Sequence, residues 1–177
     1  MGKLIATYGL IAGAIISAVV ALSLTLENAS DHLAGLEWLG YAVMIIAFSM
    51  IFVAIKSYRD RELGGVIKFG TAFGIGIGVT LVASLIYVVA WEINLHLTDF
   101  AFMEEYTASM IEAKAASGAS EAEVAEYRAE MDVMKAQYSN PLFRLPITFI
   151  EIFPVGLLIT LISAAVLRNS RVLPAAA

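Results

Sequence analysis

The chain has 177 residues, 60% of them hydrophobic and only 15% charged, with mean hydropathy +0.82 and a formal net charge of −5. Soluble domains carry about 25% charged residues, so this composition excludes an ordinary water-soluble fold and points to one membrane domain. Cysteine is absent, which excludes disulfides, thiolate metal sites and cysteine nucleophiles, and no long basic tract offers a footprint for nucleic acid.

Residues 4–26, just after Lys3, form the first apolar run. It outlasts the roughly 7–15 residues of a signal-peptide core and no small-x-small cleavage site closes it, so it reads as a retained first span. Gly9, Gly13, Ser17 and Ala21 recur every fourth residue. Such a stripe lets a neighbouring backbone approach closely in lipid, where packing holds helices together; the plainer alternative is that small residues are common in membrane helices. The connection ENASDHLAGLE that follows carries Glu27, Asp31 and Glu37 and no Lys or Arg.

The second span covers residues 36–56, with Trp38 and Tyr41 near its start and Tyr58 just past its end, spaced as aromatic belts at two interfaces. Lys56, Arg59 and Arg61 follow, then Gly64 and Gly65 as a turn, then Lys68. Short loops rich in Lys and Arg stay in the cytoplasm, which places this loop inside and the acidic loop before it outside. The mixed charges of Lys56, Arg59, Asp60, Arg61 and Glu62 read as a topology determinant touching anionic headgroups, or as a contact for a cytoplasmic partner.

Residues 66–92 are the third span and the most distinctive stretch. A hydrocarbon core about 30 Å thick needs roughly 20 helical residues, and no charge falls between Lys68 and Glu92. Gly70, Gly74 and Gly78 recur every fourth residue, a glycine-zipper stripe positioned to face that of span one. No Gly or Pro stops the helix from Val79 until Ser117, although Thr98 and Asp99 offer an N-cap for a restart.

From residue 99 to residue 140 nine acidic residues oppose three basic ones, net −6, in a segment of soluble helical character. Ser117-Gly118-Ala119 divides it, and Ser120 with Glu123 makes a capping box for a new helix. Met103, Tyr106, Met110 and Ala113 on one half, and Val124, Tyr127, Met131, Met134 and Tyr138 on the other, recur at steps of three and four. These stripes suit an antiparallel hairpin with a weak seam, or a docking surface for another protein. Asn140-Pro141 ends the segment, and residues 142–167 form a fourth span trailed by Arg168 and Arg171. Lys3, Lys56, Arg59, Arg61, Lys68, Arg168 and Arg171 then share the cytoplasmic side, leaving only Lys114, Arg128, Lys135 and Arg144 outside.

Among residues able to carry chemistry, Glu151 is the most informative. It lies two turns past Arg144, about 10 Å along the span, where a carboxylate is costly unless paired, protonated or beside water. Pro154 cannot donate to the carbonyl of Ile150 and favours a kink, leaving an acceptor next to that carboxylate. Glu151 and Pro154 make a cation or proton site, a polar node gripping a neighbouring helix, or, through the shared face of Arg144, Thr148 and Glu151, an interfacial ion pair. Glu92 and His96 are four apart and form a second polar pair; with no third ligand evident, and His32 in another loop, metal binding is not expected. Zincin, Walker, G-x-S-x-G and Rossmann patterns are absent.

GYAVMIIAFSMIFVAIKSYRDRELGGVIKFGTAF, TASMIEAKAASGAS and TFIEIFPVGLLITLISA, with Tyr8-Gly9-Leu10, Lys56-x-Tyr58-Arg59-Asp60, Gly64-Gly65, Tyr87 with Trp91, and Glu151-x-Phe153-Pro154-x-Gly156, resemble the membrane-protein family known as domain of unknown function 4199. The resemblance extends over nearly the whole chain and implies a small bacterial inner-membrane protein. It implies no reaction and no catalytic residues.

The expectation is an all-α integral membrane protein, one domain of four transmembrane helices with both termini cytoplasmic and an extracytoplasmic helical hairpin over 99–140. Its expected role is a non-enzymatic scaffold or accessory subunit without cofactor or metal, packed through its glycine stripes, with the lipid bilayer and either a second copy or another membrane or periplasmic protein as partners. The alternative is an oligomeric small transporter or channel using Glu151 near the Pro154 kink. An enzyme would need polar groups converging at one depth, for which Glu92, His96 and Glu151 are the nearest set.

Overall fold

The computed structural model describes the backbone of residues 1–23 and 33–174 and the side chains of residues 1–22 and 40–174; Glu27, Asp31 and His32, and the side chains of Glu37 and Trp38, lie outside what is described. Six helices follow in order: α1 Gly2–Ser23, α2 Leu33–Glu62, α3 Phe69–Leu97, α4 Ala101–Ala116, α5 Glu121–Tyr138 and α6 Pro141–Leu167. Four of them, α1, α2 from Gly40, α3 and α6, are long and apolar enough to cross a membrane. Among the described residues there is no strand.

The outer surface of the bundle is as apolar as its core, where Phe48, Ile51, Ile55, Ile75, Val79 and Ile152 are buried. Thr80, Thr148, Thr160, Ser84 and Ser163 are buried among Ala47, Ala54, Ala72, Ala83 and Ala164, whereas Leu10, Ile45, Ile46, Leu85, Val89, Leu158 and Ile162 point outward. In water such a surface is a large exposed apolar patch. Against lipid tails it costs nothing, and small inward residues let the backbones close together.

Helices α2 and α3 each touch both α1 and α6. α1 and α3 run parallel in a fixed register: Ile5 seats against Gly78, Val82 against Gly9 and Ile86 against Gly13, and the side-chain amide of Asn94 donates to the carbonyl of Val20 at 3.3 Å. The two stripes therefore do not meet glycine to glycine. Each glycine receives a branched side chain, and a methyl added at Gly9, Gly13 or Gly78 would come within 2.6, 2.7 or 2.9 Å of it. The same register carries Gly74 to the level of Met1, whose Cε is 3.8 Å from an added methyl, and leaves Gly70 with nothing within 4 Å. Gly70 and Gly74 thus differ from the expected stripe because α1 is not beside them.

The turn before α3 uses Gly64 and Gly65 at φ of 63° and 91°, with the Gly65 N–H bonded to the carbonyl of Arg59 at 2.9 Å. At its other end α3 runs past the expected boundary of residue 92 to Leu97 and then stops. The Phe100 N–H reaches back to the Leu95 carbonyl at 2.8 Å and the Thr98 N–H to Asn94 at 3.0 Å, a Schellman-type closure with Asp99 at the left-handed position. The expected N-cap at Thr98 or Asp99 is not formed, because the Thr98 hydroxyl donates backward to the carbonyls of Asn94 and Leu95. Phe100 precedes α4 instead, with φ of 62° and no side-chain cap.

Helices α4 and α5 pair as an antiparallel hairpin, with Lys135 bonded to Glu104 at 3.1 Å and the Lys114 ammonium 5.9 Å from the centre of the Tyr127 ring. The capping box is present: the Ser120 hydroxyl accepts from the Glu123 N–H, and the Glu123 carboxylate accepts from the Ser120 N–H. α5 has no buried residue. Val124, Tyr127, Met131, Met134 and Tyr138 are half-buried, and every other side chain of α5 is exposed. On α4, Met103 and Thr107 are buried, but Ala113 is exposed, and the half-buried Lys114 faces Tyr127 instead.

Candidate functional site

The polar groups concentrate where the hairpin joins the bundle. The Asn140 side chain accepts from the Leu142 N–H at 3.0 Å, and Pro141 opens α6, a pairing suited to a helix start. Arg144 follows on the first turn, 2% exposed. Its Nε and Nη2 donate to the two carboxylate oxygens of Glu92 on α3 at 2.6 and 2.7 Å, and its Nη1 donates to the carbonyls of Tyr138 and Ser139 at 2.9 and 3.2 Å. Those are carbonyls at the end of α5, which lack helical partners. The guanidinium carbon also lies 5.0 Å from the Phe100 ring centre and 5.8 Å from that of Tyr138, so one side chain ties α3, the α4 entry, the α5 exit and α6 together.

Aromatic rings complete the junction. The Trp91 indole N–H donates to the Tyr138 hydroxyl at 2.7 Å, and Trp91 meets Phe102 edge-on at 4.8 Å and Tyr87 at 6.4 Å. Burial pushes the Tyr138 hydroxyl above the ordinary tyrosine range, so it stays a neutral partner for Trp91. The left-handed Asp99 and Phe100 each cost about 1–2 kcal/mol in a side-chain-bearing residue. The guanidinium over the Phe100 ring offsets part of that cost.

The residues singled out in the sequence are distributed over this region unequally. Arg144 and Glu92 come together across 52 residues, and the alternative pairing of Arg144 with Glu151 along α6 is not formed, because Glu92 and the α5 carbonyls occupy the fork. Glu151 lies outward on α6, exposed, and accepts one long bond from the Tyr87 hydroxyl at 3.4 Å. Pro154 is exposed one turn on, and α6 continues through both Pro146 and Pro154. The His96 Nδ1 lies 2.7 Å from the Glu92 backbone carbonyl, and the Glu92 carboxylate is bonded by Arg144 instead of the imidazole. Among the described residues no three His, Asp or Glu side chains converge as a metal site. Ser17 is half-buried, and its hydroxyl oxygen has no hydrogen-bond partner among the described residues.

Two further constellations escaped the sequence reading. At the α3–α6 crossing the hydroxyls of Thr80 and Thr160 lie 3.2 Å apart; a methyl at Gly76 would come within 2.6 Å of Thr160, and one at Gly156 within 2.4 Å of Thr80 and 2.9 Å of Phe48. The signal was available: FGIGIGVTL and FPVGLLITL share the pattern F-x-x-G-x-x-x-T-L. At the other end, Arg59 is fully buried. It bonds Asp60 at 2.7 Å and donates to the carbonyls of Leu167 and Val172 at 3.4 and 2.9 Å and to that of Leu173. No spacing rule reveals that last contact, since its partners are more than a hundred residues away.

Four long apolar helices whose outward faces are as apolar as their shared core define a polytopic helical membrane protein. Within that class, the chain belongs to the family described as protein of unknown function DUF4199, whose family model matches residues 7–169. No curated protein and no solved structure matches it significantly.

Proposed function

We propose that this protein is a non-enzymatic membrane scaffold or accessory subunit of a bacterial inner membrane, with both termini cytoplasmic and the α4–α5 hairpin presented on the opposite side. The observation that carries this reading is the Arg144 junction: the buried guanidinium, bonded to Glu92 and to the α5 exit, fixes the hairpin on the bundle while the acidic outer face of α5 stays uncovered. A rigidly mounted charged surface suits recognition of another protein better than chemistry. The exposed Lys3, Arg61, Lys68, Arg168 and Arg171 gather at the end away from the hairpin, which supports the orientation. Protease added to intact spheroplasts is expected to cut between residues 115 and 122; cleavage only in inverted vesicles overturns the orientation. The native mass of the solubilised particle is expected to exceed one chain, and a strict monomer without a partner overturns the scaffold role.

A second reading, an oligomeric transporter or channel, is favoured by the outward Glu151, whose carboxylate makes a single long bond within an apolar surface and which a neighbouring copy would enclose. Liposome flux that is present in the wild type and lost in Glu151→Gln supports it; flux absent from both removes it.

A further inference from the structure

The end of the bundle away from the hairpin carries a cleft that the scaffold reading does not use. It lies between α1 and α2, holds about 230 Å³, and is lined by Tyr8, Val53, Lys56, Ser57, Asp60 and Arg61. Its one carboxylate is already compensated: Asp60 is bonded by Lys56 at 2.5 Å and by the buried Arg59 at 2.7 Å. Three donors remain uncommitted, since Arg61 and the hydroxyls of Tyr8 and Ser57 make no hydrogen bond or ion pair within the described residues. Counting Lys56 and Arg61 against Asp60, the lining of the cleft is net positive.

Depth and shape narrow the ligand. Tyr8 lies five residues along α1 from the exposed Lys3, and Lys56 lies five residues along α2 from Arg61, so the cleft occupies the outermost turns, about 8 Å from the charged end at 1.5 Å per residue. That is headgroup depth. Val53, one turn deeper and 40% exposed, gives the cleft an apolar floor that continues onto the lipid-facing surface. Donors above an apolar floor fit an anion that carries a hydrocarbon tail, and basic pockets between spans are suited to anionic headgroups. A planar guanidinium engages two phosphate oxygens at once. A choline headgroup would set its cation against Lys56 and Arg61.

We propose that the α1–α2 cleft is a binding site for an anionic phospholipid, its phosphate held by Arg61, Lys56, Tyr8 and Ser57 and its acyl chain lying over Val53. The shared chemistry is a phosphate group, and the lipid rather than the free ion is assigned because of the apolar floor. The test is native mass spectrometry of the full chain in neutral detergent, titrated with phosphatidylglycerol, phosphatidylcholine or inorganic phosphate, for wild type, Arg61→Gln, Tyr8→Phe and Arg168→Gln. One phosphatidylglycerol per chain is expected to persist in preference to phosphatidylcholine. Arg61→Gln is expected to weaken retention about fivefold, the loss of one interfacial cation; Tyr8→Phe is expected to weaken it less, and Arg168→Gln, at the same end but outside the cleft, to leave it unchanged. Equal retention of the two lipids overturns the site, as does an Arg168→Gln effect as large as that of Arg61→Gln. Inorganic phosphate displacing the bound lipid at equal concentration overturns the lipid assignment.

Discussion

The four-helix bundle and the α4–α5 hairpin are both helical, yet they are held by different physics. In the bundle, Gly9, Gly13, Gly76, Gly78 and Gly156 each sit against a neighbouring side chain so closely that a single methyl has no room. In the hairpin nothing on α5 is buried, and order comes from the capping box, one exposed ion pair and the clasp of Arg144 at its base. Lipid offers no hydrophobic drive for one apolar helix to find another, so close approach and dispersion must supply it. Water offers that drive, but α5 has little apolar surface to use it and depends on satisfied ends.

The contrast is most severely tested at Gly156. Gly156→Val would force atoms into Thr80 and Phe48, and overpacking of this kind costs up to about 3 kcal/mol. The melting temperature of the bundle in detergent is expected to fall steeply. Gly70→Ala, where nothing lies within 4 Å, is the matched control and is expected to stay within about 1 kcal/mol of wild type. Equal effects at both glycines would end the packing argument.

Next in size is Arg144→Ala, which separates the two regions. It leaves Glu92 without its partner and the α5 carbonyls without donors. Because the Glu92 side chain keeps 21% exposure, the expected loss is about 2–3 kcal/mol, below the full cost of breaking a buried pair. Amide exchange is expected to accelerate across α4 and α5 while α1 and α3 keep their protection; uniform acceleration would show that the hairpin is part of the bundle's cooperative unit.

The smallest effect belongs to the cap. Ser120→Ala is expected to destabilise α5 by about 1 kcal/mol, read as faster exchange over residues 121–126. Hydrogen bonds from the Ser120 N–H and hydroxyl hold the Glu123 carboxyl below its ordinary value of about 4.5, so the folded cap binds a proton less readily than the unfolded chain. Its stabilisation is complete above that ordinary value and is lost as the pH falls through the lower, folded one. Protection of the amides at the start of α5, corrected for intrinsic exchange, is therefore expected to fall with acid in the wild type and to fall less in Ser120→Ala, which keeps the backbone N–H bond to Glu123 and loses the hydroxyl's; an equal acid response in the variant would assign it elsewhere.

What was legible in the sequence follows the same division. Span number came directly from apolar runs of sufficient length, and the capping box of Ser120 and Glu123 is a local motif whose partners are three residues apart. The register between helices is not local. A four-residue glycine period marks a groove without stating which knob fills it, so Gly70 and Gly74 looked equivalent to Gly78, while the matched Gly-x-x-x-Thr pairs at Gly76 and Gly156 passed unnoticed. Charges behaved likewise. Spacing along α6 offered Glu151 to Arg144, whereas the fold brought Glu92 from another helix. The stop after Leu97 needed no glycine, because Asp99 adopts the left-handed turn itself.

Arg59 gives the molecule a sequence in time. The ribosome makes this cation with the second helix, but the carbonyls of Val172 and Leu173 that receive it are synthesised over a hundred residues later. Until the tail folds back, Asp60 and the Leu167 carbonyl are the partners left to the guanidinium among the described residues, so this end of the bundle is sealed only after both segments have been made. A chain released just after residue 167 would hold all four membrane-length helices and still lack its closing stitch.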